Sequence, residues 1–148
     1  MNKIQKLLFT GKTHTTFARA PSGADHGTVN LALSSPSHAG HELSFRDVVA
    51  HPTAEELFAG AWSSCYITAI GLVAAQKRIT LPPDISVDID VDLGQSGAAW
   101  LLQARFEVRL PGLPQDVAEQ LAHTAHEICP YSKATHGNID VAVNVITS

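Results

Sequence analysis

Two cysteines are the strongest candidates for chemically reactive residues in this sequence, because of their residue type and their positions. Cys65 lies in an apolar stretch with helical spacing, and Cys129 ends a second helical stretch, directly before Pro130. On residue type alone Cys65 is more often an inert core residue, because free cysteine is among the most buried residue types. A buried cysteine together with a cysteine at a movable helix end is, however, typical of a peroxidatic and resolving pair. The two cysteines therefore favour thiol redox chemistry.

The histidines offer two other chemistries, which the residues alone leave open. His123, His126 and Cys129 are spaced i, i+3, i+6, and His38 and His41 add two more possible metal ligands. A closed zinc site needs four converging ligands, and no CxxC or HExxH spacing supplies them. A histidine could also act as general base for a cysteine, as in a Cys-His acyl hydrolase. A metal- or ligand-binding module and an acyl hydrolase are thus the alternatives.

Composition narrows the class of protein. The 148 residues carry a formal net charge of -4 with a pI near 6.0, so the chain lacks the basic footprint of a nucleic-acid or anionic-membrane binder. The apolar run at residues 7–9 is too short for a signal peptide, and small or polar residues interrupt the long apolar stretch, which predicts no membrane span. Two cysteines without an export signal predict the reducing cytoplasm. The length predicts one domain, residues 1–148.

One long helix, over residues 53–76, must position Cys65. Thr53 is its predicted N-cap, and Glu56 completes a capping box three residues later. The helical period places Cys65 on an inward stripe, whose other members are Ala54, Leu57 or Phe58, Ala61 or Trp62, Thr68 or Ala69, Leu72 and Ala75. The flanks of the stripe are also apolar, as Ile67, Ile70 and Val73 show. The pattern therefore predicts a core helix that is covered on more than one side.

Strand patterns surround that helix. The threonine-rich residues 3–18 predict an edge strand, residues 19–27 a turn, residues 29–33 a half-buried strand, and residues 34–52 a long loop that contributes to a site. Alternating residues 85–93 and 102–110 predict two antiparallel strands whose acidic and basic outer face is solvated. Pro114 opens a second helix that stops at Cys129, and residues 139–145 predict a last strand. The order of elements indicates an α+β fold.

Two segments resemble a known family. They are ELFAGAWSSCYITAI around Cys65 and CPYSKATHGNIDVAVNV from Cys129 onward, with LPGL at 110–113. They are similar to the organic hydroperoxide resistance proteins of the osmotically inducible protein C (OsmC) superfamily, over almost the whole chain. The resemblance implies an OsmC-like fold, with antiparallel sheets packed on a long central helix, and an intertwined homodimer. It also implies a cytoplasmic thiol peroxidase for organic and lipid hydroperoxides that needs no metal or bound cofactor. The implied reductant is dihydrolipoamide on a lipoylated protein.

The resemblance also assigns roles to four residues. Cys65 matches the peroxidatic cysteine and Cys129 the resolving cysteine, which implies a disulfide between them within one chain. Arg19 matches the arginine that activates the thiolate, and Glu55 the glutamate that holds this arginine. The chain departs from the family pattern at Ala54, where proline is usual, at Glu56, where glutamine is common, and in the loop after Arg19, which lacks the usual glycine-rich form. A thiol of pKa about 8.5 does need a fixed cation nearby to ionise at neutral pH, and a buried arginine needs a carboxylate.

Two further expectations concern geometry. In one continuous helix, Glu55 and Cys65 are separated by a rise of about 15 Å, so either the helix is broken between them or Glu55 serves the site of the other subunit. We favour the second arrangement. The approach to the Cys65 sulfur is expected to be an apolar channel that suits alkyl peroxides, formed by Trp62, Ala61 and Ala69 together with Phe45, Val48 and Val49.

Overall fold

The computed structural model describes residues 4–17, 31–34, 42–46 and 53–148 of the chain. The elements in order are β1 (Lys6–Phe17), β2 (Leu31–Ser34), β3 (Glu42–Arg46), α1 (Ala54–Lys77), β4 (Ser86–Ser96), β5 (Ala99–Arg109), α2 (Gln115–Ile128), α3 (Pro130–Thr135) and β6 (Asp140–Ile146). This is the predicted α+β class of fold, with one strand and one short helix more than the sequence indicated. The predicted turn at 19–27 lies outside the described residues.

The strands form one six-stranded sheet in the order β2-β3-β1-β4-β5-β6. Neighbouring strands are antiparallel, as predicted, except that β5 and β6 run parallel. The prediction of an edge strand at residues 3–18 is wrong, because β1 pairs with β3 on one side and with β4 on the other. The prediction of a long loop at residues 34–52 is also wrong in part, because β3 lies within it and supplies one of these partners.

The helix α1 follows the predicted bounds closely. Thr53 is its N-cap, and the capping box with Glu56 is present in both directions, each hydrogen bond measuring 3.2 Å. The helix ends at Lys77, where Arg78 adopts the left-handed conformation and its N–H bonds back to Ala74 and Ala75. No interruption separates the first turn from Cys65, so the possibility of a helix broken between Glu55 and Cys65 is ruled out.

The buried face of α1 differs from the predicted stripe. The buried residues of α1 are Ala59, Gly60, Trp62, Ser63, Ser64, Tyr66, Ile67, Ala69, Ile70, Val73 and Ala74, so Trp62 and Ala69 are the members of the predicted stripe that are buried. Several members of the predicted stripe are instead solvent-accessible, and Leu57 is 48% exposed. Cys65 therefore lies half-buried at the border of the core rather than at its centre. The apolar period could not select the face, because the flanks of the stripe are as apolar as the stripe itself.

The sheet approaches α1 closely at Gly11 of β1. A Cβ atom at this position would lie 2.6 Å from the backbone carbonyl carbon of Glu55 and from the backbone nitrogen of Glu56. Further along, the hydroxyl groups of Thr15 and Ser63 share a buried hydrogen bond of 2.6 Å. By length and composition α1 could cross a membrane, yet 61% of its apolar window is buried in the protein. The sheet and α2 thus use the apolar surface of α1 as a core.

The strands β4 and β5 form a hairpin with a two-residue turn, Gly97 and Ala98, where Gly97 has a φ of +59°. The outer face of this hairpin carries the predicted acidic and basic residues. The prediction that the face is solvated is wrong for Asp92, which is completely buried. Its carboxylate accepts hydrogen bonds from Thr10 at 2.5 Å, from Gln103 at 2.6 Å and from Arg105. Burial alone would raise the pKa of Asp92, but these hydrogen bonds outweigh it and hold that pKa at about 2.

The C-terminal part of the chain covers the other side of α1. The helix α2 ends at Ile128, one residue before Cys129, as the following proline predicts. The chain then enters α3 without a loop, because Cys129 is both the C-cap of α2 and the N-cap of α3. The final strand β6 confirms the predicted alternation, and its apolar residues pack on the core. This junction of two helices brings Cys129 beside α1.

Candidate active site

The structure brings the two cysteines together. Cys65 projects from the middle of α1 and is half-buried, whereas Cys129 sits at the junction of α2 and α3 and is completely buried. Their Sγ atoms lie 3.1 Å apart, and both cysteines are free thiols. A disulfide bond is about 2.05 Å long, so the two sulfurs need to close by only about 1 Å to become bonded. The arrangement suits reversible formation of a bond between them.

Each sulfur changes the ionisation of the other. The hydrogen bond between the two sulfurs is the main reason why the pKa of Cys129 is lowered, and it overcomes the opposing effect of burial. The N–H and hydroxyl groups of Ser132 and the N–H of Tyr131 lower this pKa further. The same sulfur contact, together with burial, raises the pKa of Cys65. The two thiols therefore titrate as a pair, and neither pKa belongs to one sulfur alone.

Trp62 and Ser132 lie on the Cys129 side of the pair, and the sequence reasoning missed this role of both residues. The indole N–H of Trp62 donates a hydrogen bond of 3.0 Å to the hydroxyl oxygen of Ser132, and both side chains are buried. Ser132 follows the α3 N-cap, Cys129, by three residues, so it lies in the first turn of α3. The proline after Cys129, which favours the start of a helix there, is a signal in the sequence that could have pointed to Ser132. No comparable local signal links Trp62 to a residue 70 positions away.

The other two predicted site residues stand apart from this pair. Arg19 lies outside the described residues. Glu55 occupies the first turn of α1, ten residues before Cys65, and the unbroken helix separates the two Cα atoms by about 15 Å along its axis. The structure therefore does not bring Glu55 to the Cys65 of the same chain.

The predicted apolar channel is only partly described. Trp62 is completely buried and packs edge-on against Phe106 with a centroid distance of 4.9 Å, so it fills the core rather than lining an open approach. Ala69 is likewise buried, whereas Ala61 is half-buried. The residues Val48 and Val49 lie outside the described part of the chain, and Phe45 belongs to β3. Selectivity for alkyl peroxides therefore stays a prediction.

The structure describes some of the histidines on which the metal-site and acyl-hydrolase alternatives depend. His126 packs against Phe106 and Tyr66, with ring centroids 5.7 and 6.2 Å away. Burial, followed by the nearby charges of His123 and His136, lowers the pKa of His126. Among residues 4–17, 31–34, 42–46 and 53–148, no three histidine, cysteine or acidic side chains are grouped as metal ligands would be. The predicted donors His38 and His41 lie outside these ranges.

Comparison with known proteins places the chain in a family. The family model described as OsmC-like protein matches residues 47–144. The chain therefore belongs to the OsmC-like protein family, and the resemblance drawn from the two cysteine segments is confirmed.

Its relatives include named organic hydroperoxide resistance proteins. The one from Xanthomonas axonopodis pv. citri is 37% identical over 91 residues, which are 62% of this chain and 64% of that protein. The chain thus spans less than two thirds of the length of this relative. OhrB of Bacillus subtilis is 27% identical over 139 residues, which are 93% of this chain and 98% of that protein.

Solved structures of the same family share the fold. The organic hydroperoxide resistance protein OsmC of Legionella pneumophila superimposes with a TM-score of 0.62 and 29% identity, covering 84% of this chain and 100% of that chain. The predicted OsmC-like fold is thereby confirmed.

Proposed function

We propose that this protein is a thiol-dependent peroxidase that reduces organic hydroperoxides to alcohols. The observation that carries the proposal is the pair of free thiols 3.1 Å apart in one chain, of which Cys65 is partly accessible and Cys129 is not. A peroxide can reach only a sulfur that is accessible, so Cys65 is the attacking group and Cys129 the resolving group. The names of the relatives support a role in resistance to organic hydroperoxides.

The reaction uses both sulfurs in turn. The two sulfurs share a proton across their 3.1 Å contact, and with this proton on Cys129 the Cys65 thiolate attacks a peroxide oxygen. The O–O bond breaks, an S–O bond forms, and the alkoxide leaves as the alcohol after taking up a proton. Cys129 then attacks the sulfur of the sulfenic acid, and hydroxide leaves as water after protonation. Two thiols and one hydroperoxide thus give a disulfide, an alcohol and water.

For this attack the negative charge of the pair must lie on Cys65. A guanidinium beside Cys65 would stabilise the charge there, and we propose that Arg19 supplies it, held in place by Glu55. Since Glu55 is too far from the Cys65 of its own helix, we propose that it serves the partner subunit of a homodimer. The half-exposed apolar residues of α1, among them Leu57 and Leu72, support the packing of this helix on its symmetry mate.

The remaining parts of the proposal follow from the family resemblance. Dihydrolipoamide carried on a lipoylated protein reduces the disulfide, and the protein acts in the cytoplasm without a metal or a bound cofactor. A dithiol reductant suits the site, because it can release itself from a mixed disulfide by intramolecular attack.

Peptide mapping after oxidation tests the proposal. The reduced protein is treated with one equivalent of cumene hydroperoxide, alkylated and digested, and the alcohol product is quantified. We expect one equivalent of cumyl alcohol and a linked pair of peptides that contain Cys65 and Cys129 of the same chain. Two free, alkylated cysteines with unreacted peroxide would contradict the proposal, and this is the result that an acyl hydrolase or a metal-binding module would give.

A further inference from the structure

The hydroxyl group of Ser132 accepts a hydrogen bond from Trp62 and keeps its own hydrogen to donate. The indole N–H of Trp62 can only donate, so in their 3.0 Å hydrogen bond the Ser132 oxygen must be the acceptor. The hydroxyl hydrogen of Ser132 is then free to point elsewhere. Ser132 lies in the first turn of α3, three residues after the N-cap Cys129, and its hydroxyl and backbone N–H both lower the pKa of Cys129. Because both Trp62 and Ser132 are buried, water does not compete for this hydrogen.

We propose that Ser132 is a positioning residue for the reduction of the disulfide, because its hydroxyl, oriented by Trp62, stabilises Cys129 as the leaving thiolate. The incoming reductant thiolate consequently attacks the sulfur of Cys65. This inference rests on the proposed function, since it concerns the disulfide that the peroxidase reaction leaves behind.

Accessibility and the stability of the leaving thiolate both favour an attack on the sulfur of Cys65. Thiol–disulfide exchange requires the attacking thiolate to reach one sulfur, and it is faster when the departing thiol has a low pKa. Cys129 is completely buried, whereas Cys65 is half-buried and lies at the border of the core. An attack on Cys65 thus meets the accessible sulfur and expels the stabilised one, whereas an attack on Cys129 would do neither.

The step is balanced in atoms and electrons. The thiolate of a dithiol reductant forms an S–S bond to Cys65, the Cys65–Cys129 bond breaks, and its electron pair stays on Cys129, which accepts the hydrogen bond from Ser132. The second thiol of the reductant loses its proton and attacks the first, so that the reductant closes to its own disulfide and releases Cys65. The reductant loses two electrons, and both cysteines return to the thiol level.

Trapping experiments locate the attacked sulfur. The protein is oxidised with diamide, so that the disulfide forms without any peroxide chemistry. It is then exposed to an excess of the monothiol glutathione and quenched in acid, which stops the freed cysteine from displacing the glutathione. We expect peptide mapping to find the glutathione on Cys65. Its presence on Cys129 in the unmodified protein would overturn the proposal whatever the outcome of the peroxide experiments, and this assay needs no variant to fold.

Three variants test the part played by the hydroxyl. In a Cys65→Ser background, where only Cys129 contributes thiolate absorbance, Ser132→Ala should raise the pKa of Cys129 by about one unit because a hydrogen bond to the charged form is lost. The variant Ser132→Thr keeps a hydroxyl and should restore the pKa. The variant Trp62→Phe removes the N–H but keeps the ring, and should give an intermediate pKa because the hydroxyl can rotate away.

The rate of reduction provides the second readout. With otherwise unmodified, diamide-oxidised protein, Ser132→Ala should slow reduction by dithiothreitol several-fold, and Ser132→Thr should recover most of that loss. An unchanged pKa and an unchanged reduction rate in a folded Ser132→Ala variant would overturn the role of this residue. A general packing defect would lower the melting temperature in all three variants alike without the ordered change in the pKa of Cys129.

Discussion

Mixing two inactive variants tests whether Glu55 acts in the partner subunit. In an equal mixture of Glu55→Ala and Cys65→Ser chains that exchange freely, about half of the dimers contain one chain of each kind. If Glu55 serves the Cys65 of the other chain, each mixed dimer has one complete site and one site that lacks both residues. About one quarter of all sites should then be active, whereas an arrangement within one chain leaves none complete.

The expected recovery of activity depends on the distance between Glu55 and Cys65, which the fold fixes. The helix α1 is continuous over Ala54–Lys77, and the ten residues from Glu55 to Cys65 correspond to a rise of about 15 Å. A side chain on the first turn cannot shorten this distance without unwinding a helix whose N-terminus is held by its capping box and by the close contact with Gly11. If a glutamate holds the arginine at Cys65, as we propose, it therefore comes from the partner chain.

In a matched control, the partner arrangement should leave fewer complete sites than an arrangement within one chain. The double variant Glu55→Ala/Cys65→Ser, mixed equally with unmodified protein, should leave about one quarter of the sites complete if Glu55 acts in the partner, because mixed dimers then have no complete site. If Glu55 acts in its own chain, about one half of the sites stay complete. Peroxide consumption with dithiothreitol measures activity, and native mass spectrometry shows the heterodimers. No recovery in the first mixture, with heterodimers present, would refute the reasoning.

Three other predictions concern stability and selectivity. Asp92→Asn should lower the free energy of unfolding at pH 7 by about 1–2 kcal/mol, because the pKa of this carboxyl is depressed to about 2 and its partner Arg105 is half-exposed. The control Asp90→Asn, at a more exposed carboxylate, should cost less than about 0.5 kcal/mol. The Asp92 contribution is complete above about pH 4 and is lost as the pH falls towards 2, so urea titrations at pH 7 and pH 3 should show a shrinking difference; a constant difference would contradict this. Gly11→Ala should destabilise the fold by about 1–3 kcal/mol, because its Cβ would overlap the backbone of α1, and an unchanged melting temperature would contradict that contact. Organic hydroperoxides should react about a hundredfold faster than hydrogen peroxide if three or four methylenes are buried, which stopped-flow measurements can compare; equal rate constants would exclude an apolar approach.

The parts of the fold that the sequence predicted well depend on local sequence patterns. The bounds of α1 follow from Thr53 and Glu56 at one end, and the end of α2 follows from the proline after Cys129, because caps and proline act within a few residues. The strands β4 and β5 follow from simple alternation. Each of these signals depends on neighbours in the sequence rather than on distant contacts.

Non-local contacts account for what the sequence could not predict. Whether β1 lies at the edge or in the interior of the sheet depends on its pairing with β3. The short sequence of β3, which lies among residues predicted as a loop, did not indicate a strand. The burial of Asp92 depends on Thr10, which reaches it from a strand 82 residues away in the sequence. The approach of Cys65 to Cys129 likewise spans 64 residues, and it was implied by the family resemblance rather than by spacing.

Peroxide consumption without a reductant tests the central claim most directly. Cys129→Ser protein should consume one equivalent of cumene hydroperoxide per chain and stop with a sulfenic acid on Cys65, which dimedone labels and mass spectrometry locates. Cys65→Ser protein should consume none, because the remaining thiol at position 129 is completely buried. Equal consumption by the two variants, or a dimedone label on Cys129 in the Cys65→Ser protein, would contradict the assignment of Cys65 as the sulfur that attacks the peroxide.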